Sequence, residues 1–307
     1  MIRQLKADFR YAVYSKMFIG VLLLFFLTTL LSFFMNYQNA CFAYESYQRD
    51  LEFYQQAGND IEAELNAGYT ILEGDTVENP LAYHHEKLSA SIYSLKPDYV
   101  IPLLCEGSLV FFPILASFFG LLWAAADLKY KTLRHRVQRS GKLASLWSRQ
   151  LSGLLVLIFL FLLTIPFALG IQTWFYHQFV SNIPMDSTDF LYISKINVNY
   201  GKQLLFAAFT LTFYYEFGYT FGNLLKGNPI SIVLVCLYVL FIPPLFAYDI
   251  ANVMNNFART IFEFVGAFSL TKVLDASLLW GGLELASLFA FMLFCNVILA
   301  KKRSAYV

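Results

Sequence analysis

The stretch "MFIGVLLLFFLTTLLSFFMNY", Met17–Tyr37, contains no charged residue. A hydrocarbon core of about 30 Å needs roughly 20 consecutive apolar residues in helical form. The run meets that length and lacks the period-two alternation of a barrel strand. Five further segments read the same way: Val100–Ala126, Leu151–Phe175, Leu204–Leu225, Ile230–Tyr248 and Leu278–Ala300. The segment ending at Tyr248 is the shortest, and Pro243–Pro244 is expected to break it near its end. Pro102, Pro113 and Pro166 are compatible with membrane helices, where neighbours satisfy the freed backbone groups. Over all 307 residues the chain is 58% hydrophobic and 14% charged, with mean hydropathy +0.55, which is too apolar for a soluble domain. The expected architecture is an all-α polytopic membrane protein, one transmembrane domain over residues 1–307 with six transmembrane helices.

Charge orients it. On one side of the six spans lie 15 Lys or Arg and two acids, Asp8 and Asp127; the connections on the other side hold seven basic residues and 16 acids. Basic connections stay in the cytoplasm, so both termini and residues 127–150 are expected inside a plasma membrane. The net charge of +1 conceals this asymmetry. The basic clusters therefore call for no nucleic acid. The first apolar run is too long for a secretory leader and no A-x-A site follows, so an uncleaved anchor is expected. Ahead of it, Ile2, Leu5, Phe9, Ala12 and Val13 fall on one face of an N-terminal amphipathic helix able to lie on the inner membrane surface.

The outer connections are unequal. Residues 38–99 form a long, acidic, Tyr-rich insertion, read as an extracellular loop or small subdomain, with helical character up to Gly68 and a loop at "EGDTVENP". His84, His85 and Glu86 cluster in "YHHEKL", but a zinc helix needs a second His four residues on, and position 89 is Ser. No metal and no cofactor is expected. The cysteines Cys41, Cys105, Cys236 and Cys295 contain no C-x-x-C pair; Cys41 and Cys105 both lie toward the outer face, which leaves a disulfide between them open.

The densest charge is in "DLKYKTLRHRVQRSGKLASLWSRQL", Asp127–Leu151. Positive-inside placement explains the charge, not its order. Tyr130, Leu133 and Val137 form a narrow apolar stripe among Lys129, Lys131, Arg134 and Arg136. "RSG" is a turn, with Ser140 as the expected N-cap of a second amphipathic run through Leu143, Leu146 and Trp147.

These residues are similar to those of ABC-2 type permeases, the exporter-like membrane subunits of ABC transporters. That family carries an acid, then G-T-L-R, then S-R and a Lys seven residues later, between its second and third spans. Here Asp127, Lys131-Thr132-Leu133-Arg134, Gly141-Lys142 and Arg149 occupy those places, with Lys131 where the family has Gly. The resemblance implies that 127–150 is a cytoplasmic coupling helix seated on a separate ABC ATPase. The contacts would be Tyr130, Thr132, Leu133, Arg134, Arg136, Val137 and Lys142. It also implies a second permease copy or related permease beside this one, and export of an amphipathic compound or peptide. No G-x-x-x-x-G-K-[ST] loop occurs in the chain, so ATP would be hydrolysed by the partner and the chain itself is not an enzyme.

Three acids fall within predicted spans: Glu106, Glu216 and Glu284. An intramembrane carboxylate is a functional candidate by default. Glu216, flanked by Tyr215 and Tyr219, is the candidate polar point of a substrate path, and an internal hydrogen bond is the competing reading. "FARTIFEFVGAFSLTKVLDA" is apolar enough to dip back into the membrane. The alternative function is a membrane receptor or immunity protein that binds an extracellular peptide through residues 38–99 without transport. An intramembrane enzyme is disfavoured, since no paired catalytic motif lies in the spans.

Overall fold

The computed structural model describes residues 2–14, 16–72, 76–129, 133–183, 190, 192, 198–226, 230, 234, 237–238, 246–266, 268, 270 and 273–302. Eleven α-helices lie among them: α1 (Ile2–Tyr14), α2 (Met17–Ala57), α3 (Ile61–Ala67), α4 (Pro80–Leu95), α5 (Val100–Glu106), α6 (Phe112–Lys129), α7 (Leu133–Ser140), α8 (Lys142–Asn182), α9 (Tyr200–Leu224), α10 (Ile250–Ala258) and α11 (Leu278–Lys302). The one sheet among them pairs β1 (Thr70–Ile71) with β2 (Val77–Glu78) antiparallel. The protein is all-α and membrane-embedded. Three helices, α2, α8 and α11, are long and apolar enough to cross a bilayer, or four spans if one bent pair counts as one. The 25-residue α9 is not among them, because its Tyr, Thr and Glu residues lower its mean hydropathy. The segment expected over Ile230–Tyr248, with Pro243–Pro244, lies mostly outside the described residues.

The bent pair corrects the expectation of one continuous helix over Val100–Ala126. Pro97–Leu109 and Phe112–Ala126 meet at 63°. Pro113 lacks the N–H that would bond the Leu109 carbonyl, and Gly107–Ser108 just upstream favour the 3₁₀ turn found there. By contrast Pro166 sits inside α8 without ending it.

Both α2 and α8 have 41 residues, about 60 Å at 1.5 Å per residue, twice the hydrocarbon thickness. Each carries its apolar run onward as a polar helix. The far end of α2 packs on α4 and on the end of α8 through a second core containing Ala43, Tyr47, Leu88, Ile92 and Phe179. The 38–99 insertion is thus a helical subdomain. Its joints have ordinary chemistry: Gly58 closes α2 at φ +76°, Asp60 caps α3, and Asn79 followed by Pro80 starts α4.

The main core joins α1, α2, α5, α6, α8 and α9 around Trp123, Phe161 and Tyr215. Its tightest seam is α6 on α9. A Cβ on Gly218 would overlap the Ser117 carbonyl, and one on Gly222 would lie 2.8 Å from the Leu121 oxygen. Gly218 and Gly222 form a G-x-x-x-G pair, which lets two membrane helices approach backbone to backbone. After α10 the chain returns alongside it: Asn252 Nδ2 donates to the Leu274 carbonyl (2.8 Å), and the Leu274 N–H donates to Asn252 Oδ1 (2.9 Å). Cys41, Cys105 and Cys295 are free thiols; Cys236 lies outside the described residues.

Candidate functional site: a buried charge node beneath the basic helix

The amphipathic α1 forms as expected, but its packed face carries an acid. Asp8 is 3% exposed and shares that face with Ala12. Arg136 of α7 holds the Asp8 carboxylate in a two-pronged ion pair, with Nη2 donating to Oδ2 at 2.9 Å and Nη1 to Oδ1. Arg149 of α8 adds a bond to Oδ1 at 3.3 Å, and Ser148 Oγ donates to Oδ2 at 3.1 Å. Such forked pairs fix orientation as well as distance.

Arg149 ties the node to α6. It donates to the Trp123 carbonyl (3.0 Å), accepts from Trp123 Nε1 on its own carbonyl (2.8 Å), and lies 3.8 Å from the Trp123 ring centroid. Tyr11 of α1 flanks the same guanidinium at 5.0 Å. A planar cation between aromatic faces is a site for Arg and not for Lys. Four elements, α1, α6, α7 and α8, thus converge on one carboxylate and two guanidinium groups.

The expected partner-contact residues are distributed differently. Tyr130 and Thr132 lie outside the described residues, and Leu133 and Arg134 stand on α7 with only their backbone described. Arg136 is turned inward onto Asp8 and not outward to a partner's acids. Val137 is half-buried. Lys142 donates to the Lys301 carbonyl at 3.0 Å, pinning the end of α11 to the start of α8. The open side of the region presents His135, Gln138 and Arg139, and then Leu143 and Trp147 at 38% and 39% exposure. Ser140 is the last residue of α7 and not an N-cap. Gly141, at φ +79°, makes the joint between α7 and α8, a backbone state that suits Gly.

Glu216 is packed, at 4% exposure. Gln150 Nε2 donates to its Oε2 (3.1 Å), and the Tyr215 hydroxyl donates to the Gln150 carbonyl (3.1 Å). Tyr215 and Tyr219 are buried with it. Gln150 follows Arg149 directly, so the Glu216 pair adjoins the charge node. One turn beyond Glu216, Asn296 of α11 donates to Thr220 Oγ1 (2.9 Å) and accepts from Asn223 Nδ2 (3.0 Å). A polar thread therefore leads from α1 and α7 through α8 to α9 and α11. Glu106, also buried, accepts from the Tyr99 hydroxyl at 2.6 Å.

In the 38–99 subdomain His84 pairs with Asp50 at 2.5 Å. His85 sits beside Tyr47 and Phe190, and burial lowers its pKa below the usual histidine value. Among the described residues no three His, Cys, Asp or Glu side chains are grouped to hold a metal.

Sequence reasoning missed Asp8, Gln150 and the glycine seam. Asp8 had a readable signal: it is the only acid in the N-terminal arm, three residues after Leu5 and four before Ala12, on the packed stripe. Gly218 and Gly222 had one too, in their spacing. No protein-family model, curated protein or solved structure matches the chain significantly.

Proposed function

We propose that the protein is the membrane-spanning permease subunit of an ABC-2-like transporter, driven by a separate ATPase that docks on the 127–150 region. The observation that carries this reading is the seating of α7. A short basic helix joins α6 to α8, and its Arg136 grips Asp8 in a node shared with α1, α6 and α8. An isolated positive-inside loop needs no such buried anchorage. A helix that transmits displacement does, because motion passes through packed, discrete contacts and not through a solvated chain. In this reading α2, the bent α5–α6 unit, α8, α9, residues 230–248 and α11 are the six spans, with both termini and α7 cytoplasmic. One chain offers one docking helix and ATP sandwiching needs two ATPase domains, so two permeases stand over two ATPases. The substrate is an exported amphipathic compound or peptide.

The test is co-purification with a Walker-A-bearing ATPase expressed beside it. Leu133→Asp and Val137→Asp place a charge on the apolar stripe of α7 and are expected to abolish capture at normal membrane yield. Capture unchanged in both variants would leave α7 as a positive-inside connection and favour the receptor or immunity reading.

A further inference from the structure

A second feature lies away from the charge node, between α9, the end of α10 and the start of α11. A cleft of about 380 Å³ is floored by Phe206 and Leu285, walled by Phe257, and edged by Leu205 and Phe209. Leu205 is 72% exposed and Phe209 42%, so the cleft is open along that side. It runs from Lys202 to Phe209, about 10 Å along the helix at 1.5 Å per residue. Lys202 is the one charged side chain among the described residues of the lining and stands in the first turn of α9. The ion pairs among the described residues do not include it. Positive helix-end potential adds to its charge at the same end.

We infer that this cleft is a binding site for a membrane phospholipid with an anionic headgroup, the headgroup on Lys202 and one acyl chain laid between α9 and α11. The shape and chemistry select that occupant. An apolar trough opening sideways in a membrane-embedded protein takes a hydrocarbon chain, and a cation at one end, without an ion pair among the described residues, selects a negative headgroup over a zwitterionic one. The volume lies in the range of small-ligand sites. Gly282 leaves the trough its depth: a Cβ there would meet only the Phe257 ring edge, at 3.4 Å. This inference requires the chain to lie in a bilayer and is independent of the transport reading.

Native mass spectrometry of the full chain, purified with equimolar dioleoyl phosphatidylglycerol and dioleoyl phosphatidylcholine, tests it. One phosphatidylglycerol per chain is expected, favoured about fivefold, the factor one basic residue supplies at a bilayer surface. Lys202→Glu, an exposed change, should erase or invert the preference. Gly282→Leu fills the trough without striking backbone and should lower retention of both lipids more than tenfold, since each buried methylene counts for about a factor of four. The proposal is overturned if wild type retains both lipids equally or neither. It is overturned as well if Gly282→Leu, with an unchanged helical spectrum, keeps phosphatidylglycerol as wild type does.

Discussion

At the scale of single residues, Asp8 outweighs its surroundings because it neutralises charge that water cannot reach. Its side chain and that of Arg149 are 4% and 3% exposed, whereas Arg136 is 15% exposed. Removing one member of a buried pair costs about 3–5 kcal/mol, chiefly through the charge left behind. Asp8→Ala is therefore expected to lower the melting temperature of the detergent-solubilised protein far more than Arg136→Ala. The latter leaves Asp8 with Arg149 and Ser148. Equal melting temperatures for the two variants would contradict this ordering. Arg149→Lys keeps the charge but loses the fork and the flat face against Trp123, and should fall between them. None of this was legible from composition, in which Asp8 is one acid among basic residues. Its place on the apolar stripe of α1 marks it out in the sequence, but its cations, more than 120 positions away, are identified only when the fold brings them to it.

At the scale of elements, length and continuous hydropathy made the long helices readable, and local chemistry made their ends readable at Gly58, Asp60 and Asn79. The break before Pro113 was not read, because membrane helices often absorb a proline, as α8 does at Pro166. Which outcome occurs depends on neighbours, here the glycine-lined seam with α9. That seam predicts a strong asymmetry. Gly218→Leu meets the Ser117 backbone and should abolish folded yield, whereas Gly170→Leu, with open space around it, should be tolerated; size-exclusion profiles after extraction distinguish the two. The 38–99 subdomain carries its own prediction. Burial among Tyr47 and Phe190 keeps His85 neutral in the fold, so the unfolded segment takes up its proton first as pH falls below about 6.5. His85 therefore contributes stability that is present above that value and lost below it. The opening free energy of α4, from hydrogen-exchange rates divided by the intrinsic rate at each pH, should fall between pH 7.5 and 5.5 in wild type and less in His85→Phe, which preserves the aromatic packing. An equal fall in both would remove His85 as the cause.

At the scale of the whole molecule, two readings of the basic connection differ in what lies behind it. A loop that merely obeys the positive-inside rule is replaceable by other basic residues, whereas a transmitting helix depends on its anchorage to the spans. Trp123 separates docking from transmission. It is 0% exposed, so it touches no partner, yet it bonds the Arg149 carbonyl at 2.8 Å and stacks on the guanidinium. Trp123→Phe keeps a ring in place and removes one hydrogen bond, a net loss of about 0.5–1.5 kcal/mol that a folded protein withstands. In the proposed transporter this variant should capture the ATPase as wild type does, because the exposed surface of α7 is unchanged. Transport per ATP hydrolysed should fall, because α6 no longer moves rigidly with the node. Reconstituted vesicles with the co-purified ATPase would measure both quantities on one preparation. Unchanged coupling in Trp123→Phe would reduce the node to a fold-stabilising cluster, and loss of capture would mean that the node shapes the docking surface and does not transmit through it.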